Sequence, residues 1–277
     1  MRATILTEEH APQGSGLQAE HGLAVFVEAG EARVLFDTGC TQVCVENAGR
    51  LGVDLAAAQR IVLSHGHYDH TGGLAAVLQA IGPREVVAHP AVFGERHAQR
   101  PSESRPRPVG PPSQRTALEA LGASFRLESG PTQVGDGITV TGAIPRHTAF
   151  EGPSPHLFVG EGEARQADPF EDDQALVVST SRGPVVVLGC AHAGVVNTLT
   201  YAAQIAGSPA VYAVAGGMHL GAASDDRIEQ TIRAMRDLGV ERVMPCHCTG
   251  GRAAARMADA FGAGCIPCAV GTSFEIE

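Results

Sequence analysis

Residues 64–73 read SHGHYDHTGG, and four of those ten side chains, His65, His67, Asp69 and His70, are able to bind a metal. The run directly follows Arg60-Ile-Val-Leu63, an apolar stretch of strand length. Side chains alternate along a strand, so His65 and His67 leave its end in the same direction while the turn brings Asp69 and His70 round. Imidazole nitrogen with carboxylate oxygen suits zinc or a similar divalent ion, and a catalytic zinc takes three protein ligands and keeps one position open. Four ligands are too many for one open site and half of what two need. The rest of the chain must therefore fold so that further ligands arrive from elsewhere.

Two later segments qualify. In VVVLGCAHAG the apolar run 185–188 ends at Gly189-Cys190-Ala191-His192, and in RVMPCHCTG the run 242–244 leads to Cys246-His247-Cys248. Each is followed by glycine and a helical pattern, whose N-terminus could also hold an anion. Other strand-like runs fall at 23–28, 33–36, 85–88, 174–180, 210–214 and 269–275, with helical patterns at 194–206, 225–238 and 251–261. Asp226 with Glu229 three residues on reads as a capping box, and Gly239 as the C′ residue of the same helix. Two similar β-rich halves with helices outside make a four-layer αββα sandwich, here one domain over 1–277. Between the halves, the prolines and arginines of Gly94–Arg115 exclude regular structure. That stretch reads as a solvated excursion, with a mobile basic lid over an anionic substrate as its functional alternative.

A net charge of −10 argues against nucleic acid or an acidic membrane surface as partner. The start, MRATILTEEHAPQ, lacks the apolar core of a signal peptide, and no apolar run is long enough to span a membrane, so a cytoplasmic protein acting on a small molecule is expected. Oligomeric state is not legible. The seven cysteines read as reduced thiols or metal ligands. Cys246, Cys248, Cys265 and Cys268 offer a structural zinc site, but in an extended segment Cys246 and Cys248 face away from His247, and buried thiols are the default. No GxSxG or Walker-type loop is present.

His65-x-His67-x-Asp69-His70 followed by Gly72-Gly73, with LFDTG at 35–39, resembles the metallo-β-lactamase fold superfamily. GCAHAG at 189–194, GGMHL at 216–220 and PCHCTG at 245–250 resemble most closely the branch containing archaeal dihydropterin-methyl-ribofuranosylaminobenzene phosphate synthases. The resemblance implies an αββα fold with two divalent ions, zinc by ligand preference with iron or manganese as alternatives. His65, His67 and His192 would bind one ion, and Asp69, His70 and His247 the other. Many members carry a bridging Asp where this chain has Cys190, which could serve as a soft ligand. His147 is a competing third ligand, because many relatives take theirs from a loop ahead of this strand. Asp37 would orient the ligand imidazoles or make an Asx turn before Gly39. His219 would touch substrate or phosphate beside the ions, and Arg146 and Glu151 would contact substrate or form a surface salt bridge.

Two such ions activate a bridging water, so the expected output is hydrolysis of a small anionic or phosphate-bearing molecule, with Asp69 orienting the water and collecting its proton. The branch resemblance adds a transferase alternative, in which an aminobenzene displaces diphosphate from a pterin-methyl diphosphate. A noncatalytic metal- or ligand-binding protein is the third possibility.

Overall fold

The structure, a computed structural model, describes residues 1–160 and 164–277. Seven strands form one sheet in the spatial order Ser273–Glu275, Arg2–Thr7, Ala24–Ala29, Ala32–Phe36, Arg60–Val62, Arg84–Ala88 and Ala123–Leu127. Six form a second, ordered Arg242–Cys246, Ala213–Gly217, Val185–Leu188, Ala175–Val178, Ile138–Val140 and Thr132–Gly135. Their facing sides bury Val25, Val34 and Phe36 against Leu176, Val185 and Val187. Helices Val43–Leu51, Leu74–Ile81 and Arg115–Ala120 lie on the outer side of the first sheet, where Leu35, Ile61 and Val77 pack together. Helices Val195–Ala206, Asp225–Asp237 and Gly251–Phe261 lie on the outer side of the second. This is the αββα sandwich expected from the sequence.

The patterning explains the layers. Val185–Leu188 is buried at every position because both faces of its sheet are covered, which favours a continuous apolar run over alternation. Asp225–Asp237 instead buries Ile228, Thr231, Ile232 and Met235, one stripe at helical spacing. Strands Val185–Leu188, Ala213–Gly217 and Arg242–Cys246 run parallel, with Leu188 opposite Gly216 and Gly217 opposite Cys246. Arg60–Val62 is likewise parallel to both its neighbours. The loops leaving the C-terminal ends of these strands meet at one edge of the sandwich, the usual place for a ligand in a parallel sheet.

Several local expectations need correction. The Asp225–Asp237 helix is capped by Ser224, whose side chain accepts from Arg227 N, so Asp226 lies inside the first turn and there is no capping box at Asp226 and Glu229. Gly239 has φ 78°, as the C′ position requires. The strand expected from residue 210 begins at Ala213, because Val211 and Tyr212 donate instead to the carbonyls of Leu238 and Pro184. Gly94–Arg115 is not devoid of structure. His97–Ala98 and Arg107–Pro108 join Leu157–Val159 and Gln166–Ala167 in a small sheet, with Pro108 on an edge strand where its missing N–H costs nothing. Among the described residues no helix is long and apolar enough to cross a membrane.

Candidate metal centre

The ligand loop is fixed from beneath. Gly66 N donates to Asp172 Oδ2 at 2.7 Å, and a Cβ on Gly66 would lie 2.0 Å from Val92 O, so no other residue fits between His65 and His67. Asp172 accepts from Arg96 Nη2 at 2.6 Å, and Arg96 Nε donates to Asp168 Oδ2 at 2.9 Å, with all three residues buried. His67 O then accepts from His70 N and Thr71 N, starting the helical turn Tyr68–Thr71 that presents Asp69 and His70. On the opposite side, Gly189 lets the second sheet approach: a Cβ there would stand 2.1 Å from Ser64 Oγ. Asp173 Oδ2 accepts from Ala193 N at 2.6 Å, fastening the His192 loop to the same acidic segment.

The rings of His65, His67 and His192 pack with centroids 4.6–4.9 Å apart. The Nε2 atom of each is buried with no hydrogen-bond partner. A buried unpaired polar atom costs about 1–3 kcal/mol, so three together fit a cation better than a structural role. Burial first, then neighbouring imidazoles, holds His65 and His192 well below the ordinary histidine range; burial likewise takes His67 down to about 3. All three rings are thus neutral, the form that ligates metal.

A second set lies beside them. Asp69 Oδ2 is 3.6 Å from His70 Nε2 and 3.5 Å from His247 Nε2, and the two nitrogens are 3.1 Å apart. Donors held tetrahedrally at the usual zinc distances are about 3.3–3.4 Å apart, so this triangle also fits one ion. Carboxylates orient both rings from behind: Asp37 Oδ2 meets His70 Nδ1 at 2.7 Å, and Glu9 Oε1 meets His247 Nδ1 at 2.8 Å. Burial opposes charge on His247, but Cys248, Glu9 and Asp69 outweigh it and push the imidazole up to about 10. Cys190 belongs to both sets: its Sγ lies within 4.8 Å of donor atoms of His65 and His192, and also of His70 and His247.

Other expected residues are sorted by the same geometry. Asp37 also accepts from Ser64 N and Oγ, so it supports the ligand loop and does not close an Asx turn. His219 lines the cavity with its ring centroid 4.4 Å from that of His192. Arg146 does not line the cavity: Nη2 donates to His192 O at 2.9 Å and to Pro169 O at 3.3 Å. His147 is exposed and only its backbone is engaged, with Asn197 Oδ1, so it does not compete as a ligand. Glu151 is buried and accepts from Val196 N and Asn197 N, occupying the helix N-terminus that the sequence offered to an anion. His247 has φ 50°, and the turn it makes brings Cys248 into the cavity beside it while Cys246 stays in the core. The four cysteines therefore do not share one structural zinc.

Every described non-glycine residue with positive φ lies at this site: Asp37, Phe170, Ala191, His219 and His247. Such conformations cost about 1–3 kcal/mol each and persist where packing over-determines them. Sequence reasoning missed Glu9, His21, Arg96, Asp168, Asp172 and Asp173. The signals were DPFEDDQ at 168–174, four acids just ahead of an apolar strand, and TEEH at 7–10 behind RATIL. A cavity of about 280 Å³ opens on His67, Asp69, His192 and His247.

Fold and ligand set together define a class. The chain belongs to the metallo-beta-lactamase superfamily, whose family model matches residues 17–247. It is 32% identical over 257 residues, 90% of this chain and 87% of the relative, to the curated 7,8-dihydropterin-6-methyl-4-(beta-D-ribofuranosyl)-aminobenzene-5'-phosphate synthase of Methanocaldococcus jannaschii. Among solved structures, Tm1679, described as a metal-dependent hydrolase of the beta-lactamase superfamily, aligns with TM-score 0.83 and 33% identity over 100% of this chain and 99% of that one. Zn(2+)-bound PqqB from Methylobacterium extorquens shares the fold alone, with TM-score 0.61 and 14% identity over the full length of both chains. These likenesses support an enzyme. The curated relative overturns hydrolysis as the expected output, because that protein, matched along most of its length, is a synthase.

Proposed function

We propose that this protein is a metal-dependent synthase that joins a dihydropterin-methyl group, carried as its diphosphate, to a ribofuranosylaminobenzene phosphate. The observation that carries the reading is the 32% identity to the curated synthase across 90% of the chain. The donor atoms grouped at the cavity support it further.

His65, His67 and His192 would hold one divalent ion, and Asp69, His70 and His247 a second, with Cys190 between them. The mixed nitrogen and oxygen donors suit zinc, with iron or manganese as alternatives. Bound ions would neutralise the charge that develops on the departing diphosphate oxygens. The amine nitrogen replaces oxygen on the methyl carbon, and its proton must leave. His21, at the cavity wall with its Nε2 3.2 Å from Asp69 Oδ2, is placed to take it. Phe170 stacks on His192 and packs edge-on against His67, fixing the orientation of both ligand rings.

The test is incubation of metal-loaded protein with both substrates, following condensed product by mass spectrometry and inorganic diphosphate by a coupled assay. Condensed product with stoichiometric diphosphate supports the synthase. Diphosphate released at the same rate without the aminobenzene partner returns the protein to hydrolysis, and no release from either mixture rejects both.

A further inference from the structure

The cavity has two unlike ends. Its inner end is the ligand cluster, while its outer wall comes from the small sheet and the residues flanking it: Arg107 lies on the edge strand, and Arg100 and His156 lie just outside the strands His97–Ala98 and Leu157–Val159. The chain is acidic overall and contains no lysine, yet Gly94–Arg115 carries five arginines against two glutamates. Arg100 has no ion pair among the described residues. Arg107 is 3.6 Å from Glu103, and two residues further on Val109 O accepts from Tyr68 N at 3.0 Å. The basic wall is therefore tied to the turn that presents Asp69 and His70. Deeper along the same segment, buried Arg96 is locked between Asp168 and Asp172, so the wall is anchored at its base.

We propose that Arg100 and Arg107, with His156, form a phosphate subsite at the outer end of this cavity, and that its ligand is a sugar phosphomonoester whose far end reaches the metal ligands. Guanidinium groups bind phosphate through paired, charge-assisted hydrogen bonds, which an ammonium does not reproduce. Arginines facing a cavity in an acidic chain are the groups that would attract and orient such a ligand. The choice of a sugar phosphate rests on the synthase reading; the anion subsite itself rests on the wall.

The test is calorimetric titration of metal-loaded protein with ribose 5-phosphate, ribose and inorganic phosphate, using wild type, Arg100→Gln, Arg107→Gln, the double variant, Arg107→Lys and the distant Arg182→Gln. Ribose 5-phosphate should bind wild type and Arg182→Gln alike, weaken about threefold to fivefold in each single glutamine variant, and weaken at least about tenfold in the double variant. Ribose should bind poorly to all, Arg107→Lys should fall between wild type and Arg107→Gln, and metal content should not change. The subsite is overturned if the double variant binds ribose 5-phosphate within about twofold of wild type. It is equally overturned if inorganic phosphate matches ribose 5-phosphate and both ignore the substitutions, which would place phosphate on the ions. Arginine-dependent binding in a protein that makes no condensed product keeps the subsite and removes the synthase reading. Condensation by the double variant at wild-type KM does the reverse.

Discussion

The two candidate ligand sets are built from the same residue type and held in opposite electrostatic states. His65, His67 and His192 are neutral, with three buried Nε2 atoms unpartnered and no carboxylate among them. Asp69, His70 and His247 are in mutual contact, backed by Asp37 and Glu9, and His247 carries a proton in the metal-free protein. The first set is ready for a cation but offers it no negative charge. The second offers charge but must release a proton before it can bind. Adjacent imidazoles are thus made unequal by what stands behind them.

The largest expected effect concerns the scaffold of the all-histidine set. Arg96→Met leaves the buried carboxylates of Asp168 and Asp172 without their cation, and losing one partner of a buried pair costs about 3–5 kcal/mol. Urea unfolding of the metal-free protein measures this, and a loss below about 1 kcal/mol would show that Asp172 does not depend on Arg96.

Next comes occupancy. Elemental analysis of protein purified without chelator should give two ions per chain, with His192→Ala and His247→Ala each losing one. If both variants lose both ions, the two sets are one cooperative site and the comparison fails. Asp37→Asn should be graded: removing the carboxylate behind His70 should weaken the Asp69-containing site about 10–100-fold and the other site less, because Asp37 reaches His65 only through Ser64 Oγ, which lies 2.9 Å from His65 Nδ1.

The same contrast predicts opposite pH limbs for the metal-free protein. His67, at about 3 folded against 6.5 unfolded, contributes stability that is present above pH 6.5 and lost as pH falls toward 3; His65 and His192, also lowered, act in the same direction. His247, raised to about 10, contributes stability that is complete below pH 6.5 and lost as pH rises through 10. Burial raises Asp172 to about 6 and Asp173 to about 7, so these two carboxyls partly offset the acid limb. Chemical denaturation from pH 4 to 10 should show His67→Gln flattening the acid side and His247→Gln the alkaline side. An alkaline limb unchanged in His247→Gln would remove the proton assigned to that ring.

How much of this was readable follows from how local each signal is. Strand 185–188, the helices at 194–206 and 251–261, and the loop ligands His65, His67, Asp69 and His70 announce themselves within a few residues, by apolar run, period or ligand density. His192 and His247 were legible because each stands in the short loop that leaves the end of a buried strand. Arg96, Asp172 and Glu9 were not, because each acts on a ligand loop from a distant part of the chain, and a buried arginine has the same letter as a solvated one. The excursion at 94–115 was misread for that reason: its prolines forbid long strands, but the Arg96 ion pairs and a two-residue edge strand suffice to order it. His147 competed with the favoured His192 in sequence, and the path of the chain, which spends its backbone on Asn197, removes it.

The smallest expected effect is the sharpest test of independence. Phe170 has φ 50° and stacks on the His192 ring at 3.9 Å between centroids and 10° between planes, and it also meets His67 edge-on at 5.4 Å. It touches no ring of the Asp69 set among the described ring contacts. Phe170→Leu keeps an apolar cover but removes the flat surface that fixes His192. Aromatic pairs contribute about 0.5–1.5 kcal/mol beyond burial, which corresponds to an affinity loss of roughly 2- to 12-fold. Competition with a chromophoric chelator, resolving the two binding steps, should place that loss on the His65, His67 and His192 step alone. An equal loss on both steps would mean that Cys190, which stands between the sets, transmits a change in one to the other, and the two halves could no longer be treated as separately tuned.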